Sequence, residues 1–160
     1  MAAAVRRWAG VAALAVALAG CNRASLYDTV RTIPQEGWRY DSVAHFDVEV
    51  ADTVAAFDFY FHLRHTTSYP FSNIYFFVKT TAPSGDFLSD TVEYMLADLY
   101  GRWLGAGAAS IINNRLAYRK SVRFSQEGTY HVAVQQGMRT EALLHVVSVG
   151  LRIEKTHGQK

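Results

Sequence analysis

From Phe57 to Leu63 every second residue is large and apolar. Phe57, Phe59, Phe61 and Leu63 alternate with Asp58, Tyr60 and His62, and Arg64 continues the polar series. Side chains on an extended strand point alternately to opposite faces, so this spacing commits one face to a core and the other to water. A helix would need its apolar positions three or four residues apart. The same period runs through Ala44, Phe46, Val48 and Val50, which alternate with His45, Asp47 and Glu49. Further strand-like runs cover 74–80, with aromatics on both faces, then 91–96, 121–124, 129–136 and 146–154. Turn chemistry separates them at Pro83-Ser84-Gly85-Asp86, Asn113-Asn114 and Ser125-Gln126-Glu127-Gly128. The stretch 101–109, rich in glycine and alanine around Trp103, reads as a strand with a bulge or a close-packed crossing. A short helix is expected only over 142–147. About seven to nine short strands at this spacing predict an all-β fold, an antiparallel β-sandwich of jelly-roll or immunoglobulin-like type.

The first twenty residues do not fit that domain. Arg6 and Arg7 precede an unbroken small-apolar run over 8–19, shorter than the ~20 residues a membrane-spanning helix needs. It has no polar face and few large side chains, so it is not a buried amphipathic helix. Charge placement, length and the small residues at its end are those of a secretory signal. Cys21 follows, the only cysteine of the chain. A lone cysteine in an exported protein is paired between chains or modified. Leu18-Ala19-Gly20-Cys21 resembles the lipobox of bacterial lipoproteins, which implies a diacylglycerol thioether at Cys21 and a further acyl chain on the new amino terminus. Two or more chains hold a protein stably at a membrane, at about 0.8 kcal/mol per buried methylene. Asn22, where an aspartate retains some lipoproteins at the inner membrane, favours the outer one. The expected organisation is a signal peptide over 1–20, a lipidated cysteine and polar tether over 21–37, and a sandwich over 38–160. Tyr27 and Ile33 are expected to dock on the domain, and the extended tether would reach ~50 Å at about 3.3 Å per residue.

Cleavage leaves about 140 residues, the size of one domain. It also removes Arg6 and Arg7, which account for the net +2 of 16 Lys and Arg against 14 Asp and Glu. A neutral balance gives no electrostatic footprint for nucleic acid. No Gly-x-Ser-x-Gly elbow, phosphate-binding glycine loop or His-Glu-x-x-His helix is present in the sequence. His62 and His65, three apart on a strand, point to opposite faces and cannot share a metal locally, and Asp90 and Glu93 fail as a local carboxylate pair for the same reason. No cofactor, metal or catalytic residue is expected. Carboxylates from distant strands could still meet as in a glycosidase, a third reading that no residue pair singles out. The aromatic surplus is more informative. If the chain reverses between His65 and Asn73, Tyr60, Tyr75 and Phe77 would share an outer face, either as cross-strand pairs that stiffen the sheet or as a stacking platform for a partner or a glycan.

Across the mature chain the sequence resembles the gliding motility lipoprotein family GldH. The resemblance is carried by Tyr69-Pro70-Phe71-Ser72-Asn73-Ile74-Tyr75, Asp90-Thr91-Val92-Glu93-Tyr94 and Gly101-Arg102-Trp103-Leu104-Gly105-Ala106-Gly107. Gly128-Thr129-Tyr130, Gln136-Gly137-Met138-Arg139 and Val149-Gly150-Leu151-Arg152-Ile153-Glu154-Lys155 complete it in order. Leu99-Tyr100 depart from the proline and acidic residue usual before the Gly-x-Trp-Leu-Gly motif, and 140–145 is shorter and more apolar than usual. The resemblance implies an envelope lipoprotein needed for surface gliding, with protein partners in the machinery that moves or exports surface adhesins, and no catalytic activity. Trp103, Arg139 and Arg152 are the residues expected to be central, with Trp103 in the core because glycines on both sides let backbones approach its indole. The rival reading is a surface glycan-binding lipoprotein using Tyr60, Tyr75 and Phe77.

Overall fold

The computed structural model describes residues 25–156. The expected signal peptide over 1–20, Cys21 and Asn22 lie outside them. The described residues are all β, with eleven strands: β1 Ser25–Thr32, β2 Trp38–Arg39, β3 Ala44–Val50, β4 Phe57–Thr66, β5 Asn73–Thr81, β6 Phe87–Met95, β7 Ala106–Ala108, β8 Ile111–Val122, β9 Gly128–Gln136, β10 Ala142–Leu143 and β11 Val146–Lys155. A five-stranded sheet in the order β1-β11-β4-β8-β7 faces a four-stranded sheet in the order β3-β9-β5-β6, and β10 pairs with β2. Every pairing is antiparallel. This is the expected β-sandwich; β1, β2 and β10 add to the predicted set, β7 falls within the predicted 101–109 stretch, and β8 runs over Ile111–Val122 where only 121–124 was expected as strand.

The alternation read from the sequence is the burial pattern observed. In β3 Ala44, Phe46, Val48 and Val50 are buried and the residues between them exposed, and in β4 Phe57, Phe59, Phe61, Leu63 and His65 all point inward. The two inner faces meet through aromatic rings: Phe61 of β4 stands 5.4 Å from Phe76 of β5 at 82°, and Trp38 lies 5.9 Å from Phe76. Edge-to-face pairs of this kind contribute about 0.5–1.5 kcal/mol beyond their area. Trp38 is buried because its indole N–H donates to the Ser42 carbonyl at 2.8 Å, which satisfies the one polar atom it carries inside.

Three sequence expectations are corrected. The segment 21–37 is not a tether throughout, because β1 begins at Ser25 and pairs with β11 from Glu154 to Ser148. Tyr27 and Ile33 do dock, Tyr27 edge-on to Phe46 at 6.4 Å and Ile33 within the core. Asn113-Asn114 is not a turn but lies inside β8, where the buried Asn114 side chain donates to the Leu63 carbonyl at 3.4 Å. No helix forms over 142–147; β10 and the start of β11 stand there.

The register sets the molecule's two ends. Ser25 lies opposite Glu154, Lys155 opposite Phe57, and Phe57 opposite Val122, so the turns 51–56, 82–86 and 123–127 share an end with Ser25. Thr66 lies opposite Ile111 and Asn73 opposite Met95, which puts the connections 67–72, 96–105 and 137–145 at the other end. The ten residues of β4 span ~33 Å at about 3.3 Å each.

Candidate functional site

Leu96 and Leu104 open a small hairpin at the end away from Ser25. The Leu104 N–H donates to the Leu96 carbonyl at 2.8 Å, and Ala97 bridges Trp103. Its tip is built by Asp98, whose carboxylate accepts the N–H groups of Tyr100 and Arg102 at 2.9 Å and the Arg102 guanidinium at 2.7 Å. These three hydrogen bonds hold the carboxyl below its ordinary pKa, the Arg102 N–H contributing most. Gly101 takes the positive φ of 77° that the turn requires. At the base Trp103 is half-buried, its ring 4.6 Å from His65 and 6.4 Å from Tyr69. Gly105 closes the hairpin onto β8, where a Cβ would stand 2.6 Å from the Asn113 carbonyl oxygen. The Gly-Arg-Trp-Leu-Gly motif is therefore a turn residue, an anchor and a point of backbone contact.

What this frame displays is largely apolar, with the exposed Arg102 guanidinium 5.5 Å from the Tyr100 ring centre. Leu99 is 99% exposed, Tyr100 85% and Leu104 61%, with Met95 beside them at the end of β6. Exposed apolar clusters of this kind mark interaction sites, and the backbone hydrogen bonds of Asp98 fix the tip in advance, which lowers the entropy lost on binding.

Beside the hairpin a groove of about 610 Å³ runs down the outer face of the four-stranded sheet between Phe71, Tyr75, Phe77, Thr91, Met138 and Arg139. Gly137 makes it possible: its N–H donates to the Tyr75 carbonyl at 2.7 Å, and a Cβ there would lie 3.0 Å from the Tyr75 Cβ. The Tyr75 hydroxyl is raised in pKa chiefly by its hydrogen bond to Glu93, which also accepts from Asn73 Nδ2 at 2.6 Å.

The structure thus brings together Tyr75, Phe77 and Arg139 and separates them from Tyr60. The expected aromatic row does not form, because β4 and β5 belong to different sheets and their outer faces look in opposite directions. Tyr60 lies under two cations, the Arg115 guanidinium at 3.8 Å and the Lys120 ammonium at 4.0 Å from its ring centre. Arg152, on the same sheet, bonds Asp28 of β1 at 2.5 Å and Glu154 at 2.9 Å, and Glu154 also binds Arg115 of β8. This mesh ties the outer strands of the sheet together. Leu99, Tyr100, Leu104 and Met95 were missed in the sequence, although the Leu99-Tyr100 departure from the family pattern was a signal. His62 and His65 do face opposite sides, and Asp90 and Glu93 likewise, Asp90 bonded to Tyr118 and Arg119. Among the described residues, no group of three or more His, Cys, Asp or Glu is placed to share a metal ion, and no helix is long and apolar enough to cross a membrane.

Fold and surface together define an antiparallel β-sandwich whose most prominent exposed feature is a preformed apolar tip beside an aromatic groove. The GldH lipoprotein family model matches residues 25–153, and the chain belongs to that family. It is 32% identical over 148 residues to the gliding motility lipoprotein GldH of Flavobacterium johnsoniae, covering 88% of this chain and 91% of the relative. It is 30% identical over 148 residues to a GldH homolog of Christiangramia forsetii, covering 88% and 90%. Among solved structures, the infectious bursal disease virus VP2 subviral particle aligns with a TM-score of 0.22 at 10% identity, over 84% of this chain and 36% of that one; a match this loose carries no argument.

Proposed function

We propose that the chain is a non-catalytic accessory subunit of a gliding motility or associated secretion assembly. Lipid on Cys21 holds it at a membrane, the outer one by the Asn22 criterion, and the hairpin tip docks on an envelope protein. The observation that carries this is the placement of Ser25 and Leu99 at opposite ends of the sandwich. Only Asn22, Arg23 and Ala24 separate Cys21 from Ser25, a reach of ~13 Å at about 3.3 Å per residue. A domain held that closely keeps its Ser25 end at the lipid surface and its exposed leucines about a strand length above it. Apolar side chains facing away from the bilayer are suited to protein.

The test is made in the native host. Cys21→Ala is expected to release a folded, soluble protein and abolish gliding or adhesin export. A photocrosslinking residue at position 100 is expected to capture an envelope protein of that machinery. Leu99→Ser with Tyr100→Ser should leave thermal stability within about 0.5 kcal/mol while removing the crosslink and the function. Full function in the unanchored variant, or in the tip variant, overturns the reading.

A further inference from the structure

The two sheets do not close evenly along their second seam. On one side β1 and β3 are joined by Arg31, whose Nε donates to the His45 carbonyl at 3.0 Å. On the other side β8 and β6 are linked through Asp90, which accepts from the Tyr118 hydroxyl at 2.5 Å and from Arg119 at 2.6 Å. Beyond that clasp, toward the Ser25 end, β8 slips register against β4 around Phe59, and Ser121 takes a positive φ of 53°. The seam opens there into a cavity of about 180 Å³ that reaches the inner faces of both sheets. Phe59 and Ile153 line it from one sheet, Val48, Tyr130 and Val132 from the other, and Phe124 closes its end. Its two tyrosine hydroxyls are already spent, Tyr118 on Asp90 and Tyr130 on the Gln126 carbonyl at 3.2 Å, so the interior offers little to water. Apolar cavities of roughly 150 Å³ stay dry and take up hydrocarbon guests.

We infer that this cavity receives the terminal segment of one acyl chain of a bilayer phospholipid, its volume of about 180 Å³ admitting a few methylenes and not a whole chain. The inference rests on the orientation proposed above, which sets the mouth at the lipid surface. Val54 and Phe87, both strongly exposed, and the half-exposed Leu88 share that end. Arg119 and Arg123 stand at the rim. Arg123 uses only its Nε, on the Val54 carbonyl at 3.1 Å, which leaves guanidinium donors for a headgroup phosphate. The mouth lies beyond β8, while Ser25 starts the opposite edge strand, three strand spacings of about 4.8 Å away. A chain of the surrounding bilayer meets the mouth directly, whereas the protein's own anchor would have to cross that distance to enter it.

The lipidated full-length protein is reconstituted in phosphatidylethanolamine–phosphatidylglycerol vesicles that contain a phospholipid with a diazirine at its acyl terminus, irradiated, and mapped by peptide mass spectrometry. Adducts are expected on Phe59 and within 124–132. They should fall several-fold in Leu88→Lys, which places a charge at the mouth without touching the core, and in Thr80→Trp, which fills the cavity. Surface adducts at Val54 and Phe87 with none in 124–132 overturn the pocket while the orientation stands. Adducts at Leu99 and Tyr100 in place of the Ser25 end overturn both. Pocket adducts that Leu88→Lys leaves unchanged also overturn it. If pocket adducts form only when a diazirine fatty acid is incorporated biosynthetically at Cys21, the occupant is the protein's own anchor and the bilayer lipid is excluded.

Discussion

The imidazole of His65 stands at 63° to the indole of Trp103, with 4.6 Å between ring centres. His65 is fully buried at the end of β4 and Trp103 reaches it from the hairpin, so one contact joins the hairpin to the core. Trp103→Ala is expected to lower unfolding stability by about 2–3 kcal/mol, less than for a fully buried indole. Urea denaturation checks the size. Crosslinking from position 100 should weaken in the same variant under conditions where it remains folded.

His65 donates Nδ1–H to the Thr66 carbonyl at 2.8 Å, which leaves Nε2 unprotonated and, like Nε2 of His62, buried without a hydrogen-bond partner among the described residues. Burial lowers both histidine pKa values. The unfolded chain then takes up protons first as pH falls below about 6.5, so stability is full above that pH and declines beneath it. The urea midpoint is expected to drop between pH 7.5 and 5.5. His65→Phe should flatten that slope; an unchanged slope would assign the protons elsewhere.

Asp58 holds the irregular stretch of β8 in place. Burial opposes its charge, but the Ser121 N–H at 2.9 Å, the Thr156 hydroxyl at 2.8 Å and the Lys120 ammonium at 3.0 Å bring its pKa down to about 2. A carboxyl depressed below its unfolded value stabilises above about pH 4 and loses that contribution as pH falls toward 2. Its share is roughly 1 kcal/mol after solvent screening. Asp58→Ala should remove this acid-sensitive component, read as a smaller difference between melting temperatures at pH 5 and pH 2.5.

Gly105→Ala should cost about 1–3 kcal/mol, because the added methyl meets the carbonyl of Asn113 and the side chain of Asn114 at 2.6 Å. Gly101→Ala is strained for a different reason, its positive φ, since a Cβ there meets nothing within 4 Å. Thermal melts of the two variants, with amide exchange at Asn113 and Asn114, separate contact from backbone strain: only Gly105→Ala should loosen β8.

Period-two alternation made β3, β4 and β9 legible because each has one face in the core and one in water. β1 was hidden because it is an edge strand: Asp28, Thr29, Arg31 and Thr32 meet solvent, and only Leu26 and Tyr27 pack inward. β8 was hidden at Asn113-Asn114, where a polar residue takes a core-facing position and is satisfied by a backbone carbonyl from the next strand, a long-range contact that spacing cannot show. Trp103, expected in the core from its flanking glycines, is half-buried and packs against the core from the hairpin. The row of Tyr60, Tyr75 and Phe77 was not legible, since the outer faces of two sheets look alike in sequence until the chain is known to cross between them after Thr66. The tip escaped because Leu99 and Tyr100 follow no period at all.

Among the described residues β1 pairs only with β11, toward the far end of the chain. A polypeptide exported amino terminus first thus carries Ser25–Thr32 across the membrane long before Ser148–Glu154 arrive. Under the lipidation proposed above, processing at Cys21 would meet a loose leader strand, and the sheet next to the proposed anchor would be the last to close. Late closure guards against premature assembly: until Ser148–Glu154 have emerged, β1 remains unzipped, and under the proposed lipidation the domain would not yet settle against the lipid.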